Sequence, residues 1–134
     1  MFLISRCDEW LPESKRNLVP RWTRGVYVLF KKRRGGGKKG RFDVVYVGMS
    51  STSIRNRLRT HARNKKGLWD HFSVFEVHMN ISEDMVKELE GLLRHIYSLD
   101  THANELNMAK SFKAFKEISA PLENWSQAGV PFHT

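Results

Sequence analysis

The chain reads as an α+β domain, a small three-stranded antiparallel sheet flanked by helices in the order β-β-α-β-α-α. Three observations predict it. Two segments rich in Val and aromatics, Gly25-Val26-Tyr27-Val28-Leu29-Phe30 and Asp43-Val44-Val45-Tyr46-Val47-Gly48, bracket one loop as the arms of a hairpin would. A third segment, Phe72 to Met79, alternates in the same manner. Two further stretches carry apolar residues at helical spacing. Three strands cannot close a barrel, so helices must cover the sheet.

Taken in order, residues 1–20 read as an irregular arm, broken by Pro12 and Pro20, with Trp10 and Trp22 packing on the domain's edge. Strands at 25–30 and 43–48 enclose a loop at 31–42. If Phe30 pairs with Asp43, Tyr27 directly faces Tyr46, and aromatic pairs of this kind stabilise sheets without any further role. Ser50-Ser51-Thr52-Ser53 offers several N-caps for a helix over 53–64, whose Ile54, Leu58 and Ala62 recur at spacing four. The third strand covers 72–79, with Phe72 and Phe75 on opposite faces. Ser82, followed by Glu83 and Asp84, starts the strongest helix. Its stripe is Met85, Val86, Leu89, Leu92, Leu93 and Ile96, and it ends near Tyr97. A short helix over 108–118 and a tail at 119–134 containing Trp125 complete a single domain, 1–134, whose 40% hydrophobic content is enough for one core.

Composition narrows the function. A single cysteine, Cys7, excludes an internal disulfide, and six scattered histidines lack zinc-site spacing. No apolar run approaches the roughly 18 residues of a membrane span, nor is the start of the chain a signal peptide, so a cytoplasmic location is expected. The charge is concentrated. From Lys31 to Trp69 there are 13 basic residues and one acid, Asp43, whereas the rest of the chain is slightly acidic. Such a footprint predicts a polyanion as partner. Its carriers are Lys31, Lys32, Arg33, Arg34, Lys38, Lys39 and Arg41 in the loop, and Arg55, Arg59, Arg63, Lys65 and Lys66 on or after the first helix. These suit backbone phosphates better than bases.

On that helix Arg57 and His61 form an i, i+4 pair and point the same way. On the second helix Glu90 shares a ridge with Val86, Leu93 and Tyr97, where a carboxylate needs a partner or a metal. Pairing with Arg94 at i+4 is the simpler alternative.

Together Gly25-Val26-Tyr27, Tyr46-Val47-Gly48, Asn56-Arg57-Leu58 with His61, Leu89-Glu90-Gly91-Leu92-Leu93 and Asn104 resemble the GIY-YIG nuclease family. That family includes homing and restriction endonucleases and the nuclease domain of a bacterial excision-repair enzyme. The match spans about residues 25–107. The resemblance implies a metal-dependent endonuclease that cleaves DNA phosphodiesters to 5′-phosphate and 3′-hydroxyl ends, with Tyr27, Tyr46, Arg57, His61, Glu90 and Asn104 in the site. Glu90 would hold Mg²⁺, or Mn²⁺. Asn107 is an alternative to Asn104, and Met49 stands where many members carry Lys. Tyr27, with its phenol ionisation assisted, or His61, would serve as the base. RNA as substrate, a protein partner that supplies targeting, and a non-catalytic nucleic-acid-binding module on the same fold are the competing expectations. Nothing in the sequence fixes the oligomeric state.

Overall fold

The computed structural model describes residues 4–33, 41–97 and 120–125, with the side chains of Arg33, Arg41 and residues 94–97 excepted. The fold is α+β with a four-stranded antiparallel sheet, so the expected three strands are one too few. The strands are β1 (Ile4–Pro12), β2 (Gly25–Arg33), β3 (Arg41–Ser50) and β4 (His71–Val77), in the spatial order β1-β4-β2-β3. The helices are α1 (Ile54–Asn64) and α2 (Glu83–Tyr97). Among the described residues no helix is long and apolar enough to cross a membrane. The helix expected over 108–118 lies outside the described residues.

β1 is the segment read as an irregular arm. Its pairing with β4 shifts register between Ile4 and Arg6 and again between Asp8 and Leu11, and its buried apolar positions are Ile4, Cys7 and Leu11. Bulges insert unpaired residues and so destroy the alternation by which a strand is recognised. Trp10, in the second bulge, takes a positive φ of 59° and packs on Phe30 and Phe42. A 3₁₀ turn, Glu13–Leu18, follows.

The hairpin of β2 and β3 extends into the basic loop, reaching an Arg33 to Arg41 pair. Asp43 pairs with Lys31, so Phe30 stands opposite Val44, and a register shift between Leu29 and Phe30 adds one more residue of offset. Tyr27 consequently faces Gly48, and Tyr46 faces Leu29. The two tyrosines are diagonal neighbours on one face, not a direct pair.

β2 divides the core. Val26, Val28 and Phe30 pack with Phe75, Val77 and the α2 residues Val86, Leu89 and Leu93. Tyr27 and Leu29 pack on the other side with Phe72, Val74 and the α1 residues Ile54 and Leu58. Phe72 and Phe75 do fall on opposite faces. Ser53 caps α1, its Oγ accepting from the Asn56 N–H at 3.2 Å and donating to the Arg21 carbonyl. Ser82 caps α2, accepting from the Met85 N–H at 3.2 Å. Met85 and Leu92 of the expected stripe stay exposed. Because β4 is an inner strand covered on both faces, everything from Phe72 to Val77 is buried.

A candidate phosphodiester site on the Tyr27 face

Both motif glycines are sterically required. Gly25 has φ +147°, and a Cβ there would collide with the Phe75 carbonyl oxygen. A Cβ on Gly48 would lie 2.6 Å from Tyr27 Oη and 2.6 Å from Tyr46 Cε2. The Tyr27 side chain therefore lies over Gly48, and only a residue without a side chain leaves it that path. At the end of it, Tyr27 Oη is 2.8 Å from Nε2 of His61 on α1. The rings of Tyr27, Tyr46 and His61 form a triangle, with centroids 6.1 Å apart for the two tyrosines, 5.6 Å for Tyr27 and His61, and 4.9 Å for Tyr46 and His61. Tyr27 is 1% exposed and Tyr46 39%, so solvent reaches the second phenol while the first is packed behind it.

The charges around this triangle come from three elements. Burial raises the Tyr27 phenol well above its ordinary pKa, and Tyr46 raises it further. Arg57 on α1 opposes this, and Glu90 on α2 reinforces it. Both charged groups therefore act on the same phenol, although their helices lie on opposite faces of the sheet. His61 is held below its usual 6.5 by burial, by Lys65 and by Arg57. A protonated phenol facing a neutral imidazole makes Tyr27 O–H the donor and Nε2 the acceptor, which leaves the imidazole proton on Nδ1. The backbone at His61 is pinned as well, its carbonyl accepting from Lys65 N–H at 2.8 Å and Trp69 Nε1–H at 3.2 Å. Lys65 also holds its ammonium 5.6 Å from the centre of the Tyr46 ring.

Ring and hydrogen-bond contacts join Tyr27, Tyr46 and His61, and Arg57 and Glu90 act on this cluster through their charges on Tyr27. Asn104 and its alternative Asn107 lie outside the described residues, as do Arg34, Lys38 and Lys39. Lys31 and Lys32 are exposed; Lys31 Nζ donates to the Gly67 carbonyl at 3.1 Å, and the Lys32 N–H donates to Asp70 Oδ1 at 2.8 Å. Arg55 is half-buried, and Arg59, Arg63 and Lys66 are exposed on the side of α1 away from the tyrosines. Sequence reasoning missed Trp69, which fixes the end of α1. No periodicity marks it, because the contact is tertiary. The role of Gly48 as the seat of Tyr27 was equally hidden by the register shift.

Among the described residues no three His, Cys, Asp or Glu side chains converge. Glu90 is thus the carboxylate on which a cation here would depend. One carboxylate fits a Mg²⁺-like ion, which keeps several waters and completes its shell with substrate phosphate oxygens. Compared with protein-family models, with curated proteins and with solved structures, the chain finds no match.

Proposed function

We propose that this chain is a metal-dependent endonuclease of the GIY-YIG type, hydrolysing DNA phosphodiester bonds to 5′-phosphate and 3′-hydroxyl ends. The observation that supports the reading is the Tyr27 Oη to His61 Nε2 contact beside Tyr46, with the charges of Arg57 and Glu90 acting on the same phenol. In this reading β2, β3, β4, α1 and α2 are the family's core, and β1 is an added edge strand.

Each residue then has a task. Arg57 offers a planar fork of donors to the charge that builds on the phosphorane oxygens. Tyr46, the exposed phenol, orients the phosphate. Glu90 would hold a divalent cation, Mg²⁺ or Mn²⁺, which when bound supplies charge neutralisation at the departing 3′-oxygen. With Tyr46 swung aside to admit water to the phenol packed behind it, the proton of the attacking water passes to Tyr27 Oη as that phenol hands its own proton to His61 Nε2. This relay avoids a free phenolate, which burial and Glu90 both oppose. It ends on a neutral imidazole, suited to accept a proton near neutral pH.

Plasmid nicking in Mg²⁺ or Mn²⁺ tests the assignment. Wild-type protein should nick, and Glu90→Ala and Arg57→Ala should each lower the rate at least a hundredfold; undiminished cleavage by either variant would falsify it. A second reading, a binding module that cleaves nothing, draws on the strongly disfavoured Tyr27 phenolate and on Met49. Salt-sensitive DNA binding without metal-stimulated cleavage of any DNA form would select it.

A further inference from the structure

A cleft of about 500 Å³ opens between the 3₁₀ turn and the C-terminal half of α1, lined by Glu13, Arg16, Arg59, Ala62, Arg63, Lys66, Gly67 and Trp69. Four cations face one acid there. Arg16 Nε forms an ion pair with the Glu13 carboxylate at 3.7 Å, longer than a hydrogen bond, and the Arg16 side chain is 26% exposed. With four cations to one acid the cleft carries net positive charge, which suits an anion.

The cleft lies on the far flank of α1 from the tyrosine site. Arg57 and Arg59 are two residues apart and, at 3.6 residues per turn, project about 160° from one another. Between the flanks, on the solvent side, runs an exposed i, i+4, i+8 ridge of Asn56, Thr60 and Asn64. Its side chains are uncharged and capable of hydrogen bonding. Asn56 Oδ1 already accepts from Arg59 at 2.8 Å, and Thr60 Oγ1 donates to the Asn56 carbonyl at 3.0 Å. Cations on both flanks with neutral polar groups along the crest match a helix seated in a groove, with phosphates on either side and base edges ahead. The major groove of B-DNA, about 12 Å wide, admits a helix of about 10–12 Å diameter. The Arg59 guanidinium reaches over to Asn56, but a single strand following the crest would still bring its phosphates over the uncharged Thr60 and Asn64.

We propose that α1 seats in the major groove of duplex DNA, the Arg57 flank taking one strand at the tyrosine site while the cleft of Arg16, Arg59, Arg63 and Lys66 grips the phosphates of the opposite strand. The proposal rests on the nucleic-acid reading above, but on duplex binding rather than on cleavage. The test is metal-free anisotropy titration of a labelled duplex and of its separate single strands over a range of salt, with wild type, the Arg59→Gln/Arg63→Gln double variant and Lys66→Gln. Each lost phosphate contact lowers the slope of log affinity against log salt by about 0.9. The double variant should therefore reduce the duplex slope by roughly 1.8 and Lys66→Gln by roughly 0.9, with single-strand slopes unchanged. An unchanged duplex slope, or an equal drop on single strands, overturns the proposal. Should the double variant fold poorly, the Lys66 variant decides alone. These titrations need neither metal nor turnover, so a protein that binds in this way yet never cleaves would sink the nuclease reading and leave the groove seat standing.

Discussion

Replacing Gly48 by Ala places one methyl group where two tyrosines already meet. The added Cβ would stand 2.6 Å from Tyr27 Oη, 2.7 Å from Tyr27 Cζ and 2.6 Å from Tyr46 Cε2, about 0.8 Å short of ordinary contact at 3.4 Å. Tyr46 can swing toward solvent, but Tyr27 is 1% exposed and tied to His61. Overpacking of this kind costs about 1–3 kcal/mol, and loss of the Tyr27 to His61 hydrogen bond adds about 1 kcal/mol. Stability should fall by roughly 2–4 kcal/mol on those terms. A displacement approaching 1 Å at reacting groups can cost a hundredfold in rate. Denaturant unfolding and plasmid nicking measure the two effects separately. Gly91→Ala is the control, since a Cβ there meets nothing within 4 Å in an exposed helical position. It should stabilise by about 0.5–1 kcal/mol and leave cleavage intact. A Gly48→Ala protein with wild-type stability and rate would show that Tyr27 does not lie over Gly48.

Three further outcomes follow from the same geometry. If His61 is the terminal proton acceptor, the single-turnover nicking rate should fall with acid only below pH 6.5 and stay flat above it, because its pKa is lowered and the neutral form is the active one; a rate still climbing through pH 9 would point to a phenolate instead. Glu9 titrates at about 8, raised by burial and then by Asp8, so the folded protein holds a proton that the unfolded chain releases near 4.5. Its stabilising effect is present below pH 4.5 and is lost as pH rises through 8. With 1.36 kcal/mol per pH unit and solvent screening of a half-buried group, the loss is roughly 2 kcal/mol, and unfolding curves of Glu9→Gln should lack that slope. Arg6 holds Glu76 through Nε to Oε1 at 2.8 Å and Nη2 to Oε2 at 3.3 Å, with Ser5 Oγ donating at 3.0 Å. Arg6→Met should cost about 3 kcal/mol by stranding a buried carboxylate, and adding Glu76→Met should recover much of it in a double-mutant cycle.

Where local pattern and tertiary environment agree, the sequence was readable. α1 and α2 begin where their capping serines stand, and Ile54 and Leu58, like Val86, Leu89 and Leu93, face the sheet at the predicted spacing. β1 escaped notice because two bulges scatter its inward residues, and Arg6 and Asp8 look solvated until their partners, Glu76 on β4 and the Leu122 N–H, are known. The hairpin was recognised, yet its register differs by two residues at Tyr27, one from the Lys31–Asp43 pairing and one from the bulge, and together they moved Tyr46 from beside Tyr27 to its diagonal.

The local chemistry of the linear chain determined which residues could carry function: two phenols on strands, Arg57 and His61 one turn apart, Glu90 on an apolar ridge, and a basic middle segment. Their relations were decided only by the fold. Burial of one tyrosine and exposure of the other, the phenol bound to imidazole, the opposing effects of Arg57 and Glu90 on that phenol, and a cleft on the far flank of α1 all depend on distances between segments remote in sequence. Hydrogen bonds and desolvation act over a few ångströms in space, so no spacing along the chain encodes them.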